Sequence, residues 1–460
     1  MNSVFDRTSL VVWASVAVAT LGSIPSAALG ASPNQNVDPR PQGAPLAEIE
    51  ARREALFARM LAAPADLDVA FEYAALSSKA GDLEAAIATL ERMLIFAPGL
   101  PRLQLELGVL YFRLGAYETA RTYFDAALSA PDVPEEVRGK VQPYMAMIDR
   151  KATGMDFGGA ISAGVRYQSN ANTGPASRLV SLNGLDYLLS SDAAKSSDVN
   201  VYLSGNAGFS FDLPGQGDRF DVSLATFGAR HADRRELDVV VGEVTAGPVF
   251  DLGRFGINGS TVGIYGIASG ALLDGQPYLG ATGLGGVYTT GFAEGVLAVR
   301  GEYRYEAYRN STANSTASNK DGDRFKLQAS YERRLTESVS VLASMGAERL
   351  VARTDFSSFW QVGGLVGVSI DHASPIAALP APWSLNLTAE LYARDYDRPD
   401  TMISSKVQKD TDLTFRALQK IPLGQNWSLQ LQASYRKVWS NYDTRKFDNV
   451  TAGIGLQKAF

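Results

Sequence analysis

The chain has 460 residues, enough for two or three ordinary domains, and no cysteine, which excludes disulfides, thiolate catalysis and cysteine metal sites. His231 and His372 are the only histidines, too few for a metal or catalytic centre that needs several convergent ligands. A net charge of -6 argues against nucleic acid, which selects a basic face.

The first element is a signal peptide over 1–30. Arg7 precedes an apolar run from Leu10 to Leu21, and Ala28, Leu29 and Gly30 offer a small-residue cleavage site before Ala31. The run is too short to cross a bilayer as a helix, and no later stretch reaches the roughly 18 apolar residues a spanning helix needs. No cysteine follows, so a lipid anchor at the mature N-terminus is not expected. Residues 31–45, rich in Pro, Asn and Gln, read as a flexible lead-in. An exported chain without a membrane helix is expected in the periplasm, in the medium or in a membrane as a barrel.

A helical domain is expected over 46–150. Gly81 and Gly115, Ala86 and Ala120, and Leu90 and Phe124 each lie 34 residues apart, the tetratricopeptide period. In the second copy Leu107, Gly108, Tyr111, Gly115, Tyr117, Ala120, Phe124 and Pro131 fall where that repeat places its small and large packing residues. Gly108 and Ala120 let paired helices approach, and Tyr111 and Phe124 fill the space between pairs. In the first copy Ala74, Gly81, Leu83, Ala86 and Pro98 match while the aromatic positions are replaced. Pro64 lies 34 residues before Pro98, so Leu46–Ala62 is expected as a half repeat, and Pro134–Asp149 as a capping helix. The first helix of each pair lines the concave face of such a solenoid. By register Phe71, Lys79, Arg102, Leu105, Phe112 and Arg113 point there. They form either a groove for a peptide or partner protein, or the surface of a spacer, and two repeats leave both open.

From about Asp156 the apolar period changes to two, and residues 151–460 are expected to form a β-barrel. Val199, Val201, Leu203, Ala207, Phe209 and Phe211 share one face, opposite Asn200, Tyr202, Ser204, Asn206 and Ser210. Phe325, Leu327, Ala329 and Tyr331, then Leu385, Leu387, Ala389 and Leu391, then Trp427, Leu429, Leu431, Ala433 and Tyr435 repeat the pattern. Soluble sandwich strands run about 5–6 residues. Segments of roughly 9–12 suit tilted strands crossing hydrocarbon, which must close so that every backbone amide is satisfied. Trp427 and Tyr435, near the two ends of one apolar face, suit an aromatic girdle.

Fourteen strands are expected near 156–168, 197–212, 218–230, 236–250, 258–270, 276–288, 291–307, 322–334, 337–348, 356–370, 383–396, 410–420, 426–438 and 446–460. An even count puts both barrel ends on one side. Connections 169–196, 308–321 and 397–409 are long and polar, as outer loops should be, while 213–217, 289–290, 335–336 and 421–425 are tight, as inner turns should be. The Ala/Pro-rich stretch 371–382 is long on the inner side. The last segment carries Val450, Ala452, Ile454, Leu456 and Phe460 on one face, with Lys458 where an apolar residue is usual.

By alternation the inward face carries Arg300, Glu302, Arg304, Glu306, Lys326, Glu332, Glu390, Arg394, Arg416 and Arg436. These mixed charges either satisfy one another or form a wall along which a polar chain slides. Asp221 and Ser223 are not a nucleophile–base set, the run 310–317 is a low-complexity surface loop, and no G-x-S-x-G, P-loop or metal spacing is present. Neither enzymatic activity nor a cofactor is expected.

A signal peptide, a short tetratricopeptide arm and a fourteen-strand barrel ending in Phe460 resemble the surface lipoprotein assembly modifier family, outer-membrane translocators of the type XI secretion class. The likeness covers nearly the whole mature chain, mainly by architecture. Residues 164–172, Gly-Val-Arg-Tyr-Gln-Ser-Asn-Ala-Asn, also look like the Asn-rich turn early in that family's barrel. Asn side chains close such turns on their own account. The resemblance implies an N-terminal tetratricopeptide-like α-solenoid in the periplasm and a C-terminal fourteen-stranded antiparallel transmembrane barrel in the outer membrane. It further implies a secreted or surface-anchored protein substrate, periplasmic chaperones as partners of the arm, and Phe460 as a signal to the barrel assembly machinery. A polysaccharide or small-solute exporter and a structural or adhesive surface protein are the alternatives. An open lumen of one charge sign favours an exporter; a plugged, mixed-charge lumen with a lateral seam favours protein translocation. Gly453 and Gly455 are expected to weaken packing at that seam.

Overall fold

The computed structural model describes residues 46–460 except 64, 130–132, 134, 153, 154, 215, 216, 258, 312 and 313. The expected signal peptide and lead-in therefore lie outside the described residues. The chain divides into a helical unit ending at Asp156 and a barrel unit beginning at Phe157.

Six helices form the first unit among the described residues: α1 Leu46–Ala62, α2 Leu67–Ala80, α3 Leu83–Met93, α4 Pro101–Arg113, α5 Tyr117–Leu128 and α6 Glu135–Ala152. Their ends follow local chemistry. Asp66 and Asp82 cap α2 and α3 by accepting from the amides of Val69 and Ala85, both at 3.1 Å. Pro101 opens α4, where its missing N–H is not needed. Gly81 and Gly115, one period apart, take the left-handed turn that ends the first helix of each pair. One core joins Leu90 and Met93 of α3 to Leu103 and Leu107 of α4. A second gathers Leu105, Phe112, Phe124, Val141 and Ile148. Between α4 and α5, a Cβ added at Gly108 would stand 2.6 Å from the Phe124 ring, so glycine sets that helix spacing. The half repeat is anchored by Leu56, Met60 and Val69 and by the Arg53–Asp82 ion pair at 2.7 Å. The capping helix is displaced by a few residues from 134–149 and runs through Pro143.

The second unit is a closed antiparallel barrel of fourteen strands. In chain order the strands are β1 Met155–Gln168, a hairpin of β2 Leu179–Leu182 and β3 Leu185–Leu188, then β4 Asp198–Asp212, β5 Arg219–His231, β6 Val239–Asp251, β7 Ser260–Leu273 and β8 Gln276–Phe292. There follow β9 Gly295–Tyr308, β10 Gly322–Thr336, β11 Val339–Ala352, β12 Phe359–His372, β13 Trp383–Tyr396, β14 Lys409–Gly424, β15 Trp427–Ser440 and β16 Phe447–Ala459. Closure pairs β1 with β16, from Ala160 opposite Ala459 to Gln168 opposite Thr451. The Gly159 and Phe460 amides and carbonyls bond reciprocally at 3.1 and 3.0 Å.

All fourteen strands foreseen from the alternation are present, with ends moved by a few residues. The barrel strands run 13 to 17 residues. At one end the connections 213–218, 293–294, 337–338 and 425–426 are short, and 373–382 is the long one. The opposite end carries 169–197, 309–321 and 397–408. It also holds a tight turn, Asp274-Gly275, with both residues at positive φ. The β2–β3 hairpin corrects the expectation of a plain polar loop over 169–196: Asn183-Gly184 closes it with φ of 51° and 82°.

The outer surface is apolar and open. Val201, Leu203, Leu284, Leu327, Met345 and Val366 are each more than half exposed, although a core should claim such side chains. Among the described residues no helix is long and apolar enough to cross a membrane.

Candidate functional site: the lumen wall and the long-loop mouth

Alternation that turns leucine and valine outward turns charge inward, and the two signs meet. Arg304 of β9 reaches Glu243 of β6 at 2.5 Å and Glu302 at 2.9 Å. Glu302 also accepts from the Tyr265 hydroxyl at 3.0 Å and lies 3.7 Å from Arg300. Arg324 of β10 grips Glu306 with two parallel bonds of 2.6 and 2.8 Å, and a further nitrogen binds Glu348 of β11. The Tyr308 hydroxyl donates to Glu306 at 2.9 Å, and Lys326 lies 3.7 Å from Glu348. Further round, Arg394 binds Gln361 at 3.0 Å, Arg416 binds Glu390, and Arg436 binds Asp412 at 2.9 Å. Glu332 shares the inward parity on β10, nearer the short-connection end.

The structure thus gives nine of the ten foreseen inward residues polar partners, in separate clusters around the wall, leaving Glu332 apart. Sequence reading missed Glu243, Arg324, Glu348 and Asp412, the partners that complete them. Glu243 was legible as the lone charge in Val239–Val244, a run otherwise apolar or glycine. The enclosed Arg304 and Arg324 are each both ion-paired and hydrogen-bonded to their carboxylates, so removing one partner strands the other.

The wall at the seam differs. Its inward positions include Gly164 and Arg166 on β1, and Thr451, Gly453 and Gly455 on β16, with Gly164 opposite Gly455 and Arg166 opposite Gly453. Tyr202 of β4 lies over Gly164 and Gly455: a Cβ at Gly455 would stand 2.3 Å from the Tyr202 hydroxyl, and one at Gly164 2.8 Å from its ring. Gly453 similarly makes room for Gln432. The expectation that Gly453 and Gly455 loosen the seam is therefore corrected, since neighbouring side chains fill the space the glycines leave. The Arg166 guanidinium sits over Tyr202 at 5.7 Å and Phe227 at 5.4 Å.

Each end of the seam has its own fastening. At the long-loop end the buried Asn170 side chain accepts from the Gly174 amide at 3.0 Å and donates to the Gly174 carbonyl at 2.8 Å. Its own amide donates to Asn449 of β16 at 2.9 Å. Asn172 donates to Ala194 at 2.7 Å and accepts from the Ser196 amide at 3.0 Å, folding the loop back on itself. At the other end Phe460 stacks on Phe157 at 5.2 Å, which meets Phe209 at 4.7 Å. Lys458 lays its ammonium over Trp427 at 5.3 Å and bonds the Gln425 carbonyl, which is how a cation occupies an otherwise apolar position.

The β2–β3 hairpin packs on other loops at the long-loop end of the barrel. Val180, Leu182 and Leu189 form a small core with Ile403 and Tyr442 from two other loops. The Asn183 amide donates to Ile403 at 2.9 Å, the Ser181 amide to Asp443 at 3.1 Å, and the Tyr442 hydroxyl to Lys406 at 2.7 Å.

In the helical unit the foreseen groove residues separate. Phe71 lies under the Arg102 guanidinium at 4.9 Å, and Arg113 binds Ser78. Leu105 and Phe112, 4 % and 9 % exposed, belong to the core between repeats and are not open to a partner, because α6 packs over them. The Lys79 side chain is outside the described residues. A polar feature that sequence reading missed sits between the repeats: Glu91 accepts from the Tyr111 and Tyr123 hydroxyls at 2.6 and 3.2 Å, under stacked rings 5.4 Å apart. The Glu91 hydrogen bond and burial push the Tyr111 hydroxyl up to about 12. Asp221, considered with Ser223, is engaged by Arg219 at 3.0 Å and by Ser210 at 2.7 Å.

Residues 79–139 match the tetratricopeptide repeat family model. No curated protein matches the chain in sequence. Among solved structures, OprB of Pseudomonas putida is 9% identical, with 68% of this chain and 96% of that one covered at a TM-score of 0.32. An outer membrane channel of Pseudomonas putida F1 is 14% identical, covering 66% and 96% at 0.33. CdiB from Escherichia coli is 14% identical, covering 65% and 63% at 0.35. Likenesses of this degree add nothing to what the barrel's own geometry establishes: a tetratricopeptide-bearing helical unit followed by a closed fourteen-strand antiparallel barrel.

Proposed function

We propose that this chain is a non-catalytic outer-membrane translocator that delivers lipoproteins or soluble proteins to the cell surface or exterior. Its helical unit then lies in the periplasm and engages substrate or chaperone. The membrane reading is supported by the exposed leucine, valine and methionine side chains of the outer face, which are stable in hydrocarbon and costly in water. An even strand count supports short connections on the periplasmic side and long loops outside. Phe460, stacked at the periplasmic end, is then the residue offered to the barrel assembly machinery.

The observation that carries protein over polysaccharide is the paired, mixed-charge wall of Glu243, Arg304, Glu302, Glu306, Arg324 and Glu348. A wall of one sign concentrates a polymer of the other sign. One in which both signs are already satisfied holds neither and lets a chain of changing charge pass. Deleting the gene and comparing surface proteomes tests the reading. Loss of a specific surface or secreted protein is expected; an unchanged surface proteome with lost extracellular polysaccharide would sink it.

A further inference from the structure

The two edges of the β2–β3 hairpin are unequal. Leu182 pairs with Leu185 and Val180 with Tyr187, and the Leu189 amide donates to the Arg178 carbonyl at 2.7 Å. In that register the backbone groups of Ser181 on one strand, and of Asp186 and Leu188 on the other, point away from the hairpin. The β2 edge is used: Ser181 donates to Asp443 at 3.1 Å. On the β3 edge no bond is made among the described residues, and all four of its residues are exposed, Leu185 and Leu188 to 63% and 71%. Of the devices that guard sheet edges, β3 has no lysine, proline or bulge; it is short and carries one charge, Asp186.

We propose that β3 is a strand-addition site for an extended polypeptide segment with a basic residue opposite Asp186 and apolar residues on either side. A row of free amides and carbonyls at strand spacing is completed by another extended backbone. Charge sets the register: no cation pairs with Asp186 among the described residues, so a lysine or arginine on the added strand meets it without displacing anything. Apolar contact follows on both faces, from Leu188 on one and from Leu185 and Tyr187 on the other. The loops that hold β2 also hold the site open, because Ile403, Tyr442 and Asp443 fix the hairpin from the side away from β3. That the segment belongs to a delivered protein rests on the proposed function; the strand chemistry does not.

The test takes the purified full-length protein in detergent and a short valine-rich peptide with one central lysine, with binding read by titration calorimetry. Saturable binding is expected, weakened at least about tenfold when the peptide is N-methylated along the edge that faces β3. Leu188→Pro should weaken it similarly, whereas Leu188→Val, which keeps the amide, should not. Asp186→Lys should shift the preference to a glutamate peptide. No binding, or equal binding of the methylated peptide, overturns the proposal. So does a dimer of the protein that Leu188→Pro dissolves, since a second copy is then the occupant. An unchanged surface proteome in the deletion strain would sink translocation while leaving the peptide result to be judged alone.

Discussion

Tyr202 and Gly455 meet across the closing seam of the barrel: the tyrosine belongs to β4, the glycine to β16, and the ring passes over β1 between them. The seam is therefore held by side chains as well as by its hydrogen-bond ladder. Gly455→Val should force Tyr202 out and cost about 1–3 kcal/mol, the usual range for overpacking. The measurement is the temperature at which the folded barrel loses its fast migration on a gel without boiling. Adding Tyr202→Ala should recover part of the loss, and a strictly additive double variant would show that the two residues do not touch.

At the long-loop end of the seam, Asn170→Ala removes bonds to the Gly174 amide and carbonyl in a buried setting. A loss of about 2 kcal/mol is expected locally. Protease added to whole cells should then cut within 169–197 several-fold faster, while the barrel's melting temperature changes little. Equal cleavage rates would mean that Asn170 does not hold the loop.

Inside the lumen, Arg324→Met leaves Glu306 and Glu348 enclosed without their shared partner. Stranding a buried charge costs about 3–5 kcal/mol, so this variant should assemble poorly or melt early. Arg324→Met with Glu306→Gln and Glu348→Gln should recover much of that stability, as neutral groups need no counter-charge. Failure of the triple variant to recover would place the role of Arg324 in shape rather than charge.

In the helical unit, Gly108→Ala drives a methyl into the Phe124 ring, 2.6 Å away before relaxation. A loss of about 1–3 kcal/mol is expected in the helical transition followed by circular dichroism of the whole protein. Phe124→Leu added to it should relieve part of the strain.

Alkaline pH should loosen the same unit through Tyr111. Its hydroxyl, near 10 in an unfolded chain, is pushed up to about 12 by donating to Glu91 and by burial. The folded form thus keeps its proton longer, so the stabilisation is complete below about pH 10 and is lost as pH climbs from there toward 12. Tyr111→Phe should flatten that part of the helical stability profile. An unchanged slope would mean that another group titrates there.

The sequence by itself determined the two periods, and with them the two units. A helix buries one stripe and a strand one face, so apolar spacing reports which element forms before any contact is made. Gly81, Gly115 and Gly108 marked the repeat because a left-handed turn and a close helix crossing each need a missing side chain. Alternation likewise sorted Leu327 outward and Lys326 inward. What it could not supply is which inward residue meets which. Arg304 and Glu243 are 61 positions apart and on strands that are not neighbours, so only closure of the barrel brings them together. Tyr202 over Gly455 is of the same kind, as is the burial of Leu105 and Phe112 beneath a capping helix. The β2–β3 hairpin was half legible, in Asn183-Gly184 between short apolar runs. Its contacts with Ile403 and Tyr442 depend on loops far away in sequence. Local periodicity is set by backbone geometry residue by residue, whereas partners in a lumen or at a mouth are set by strand register around the whole ring. Tertiary structure alone decides that register.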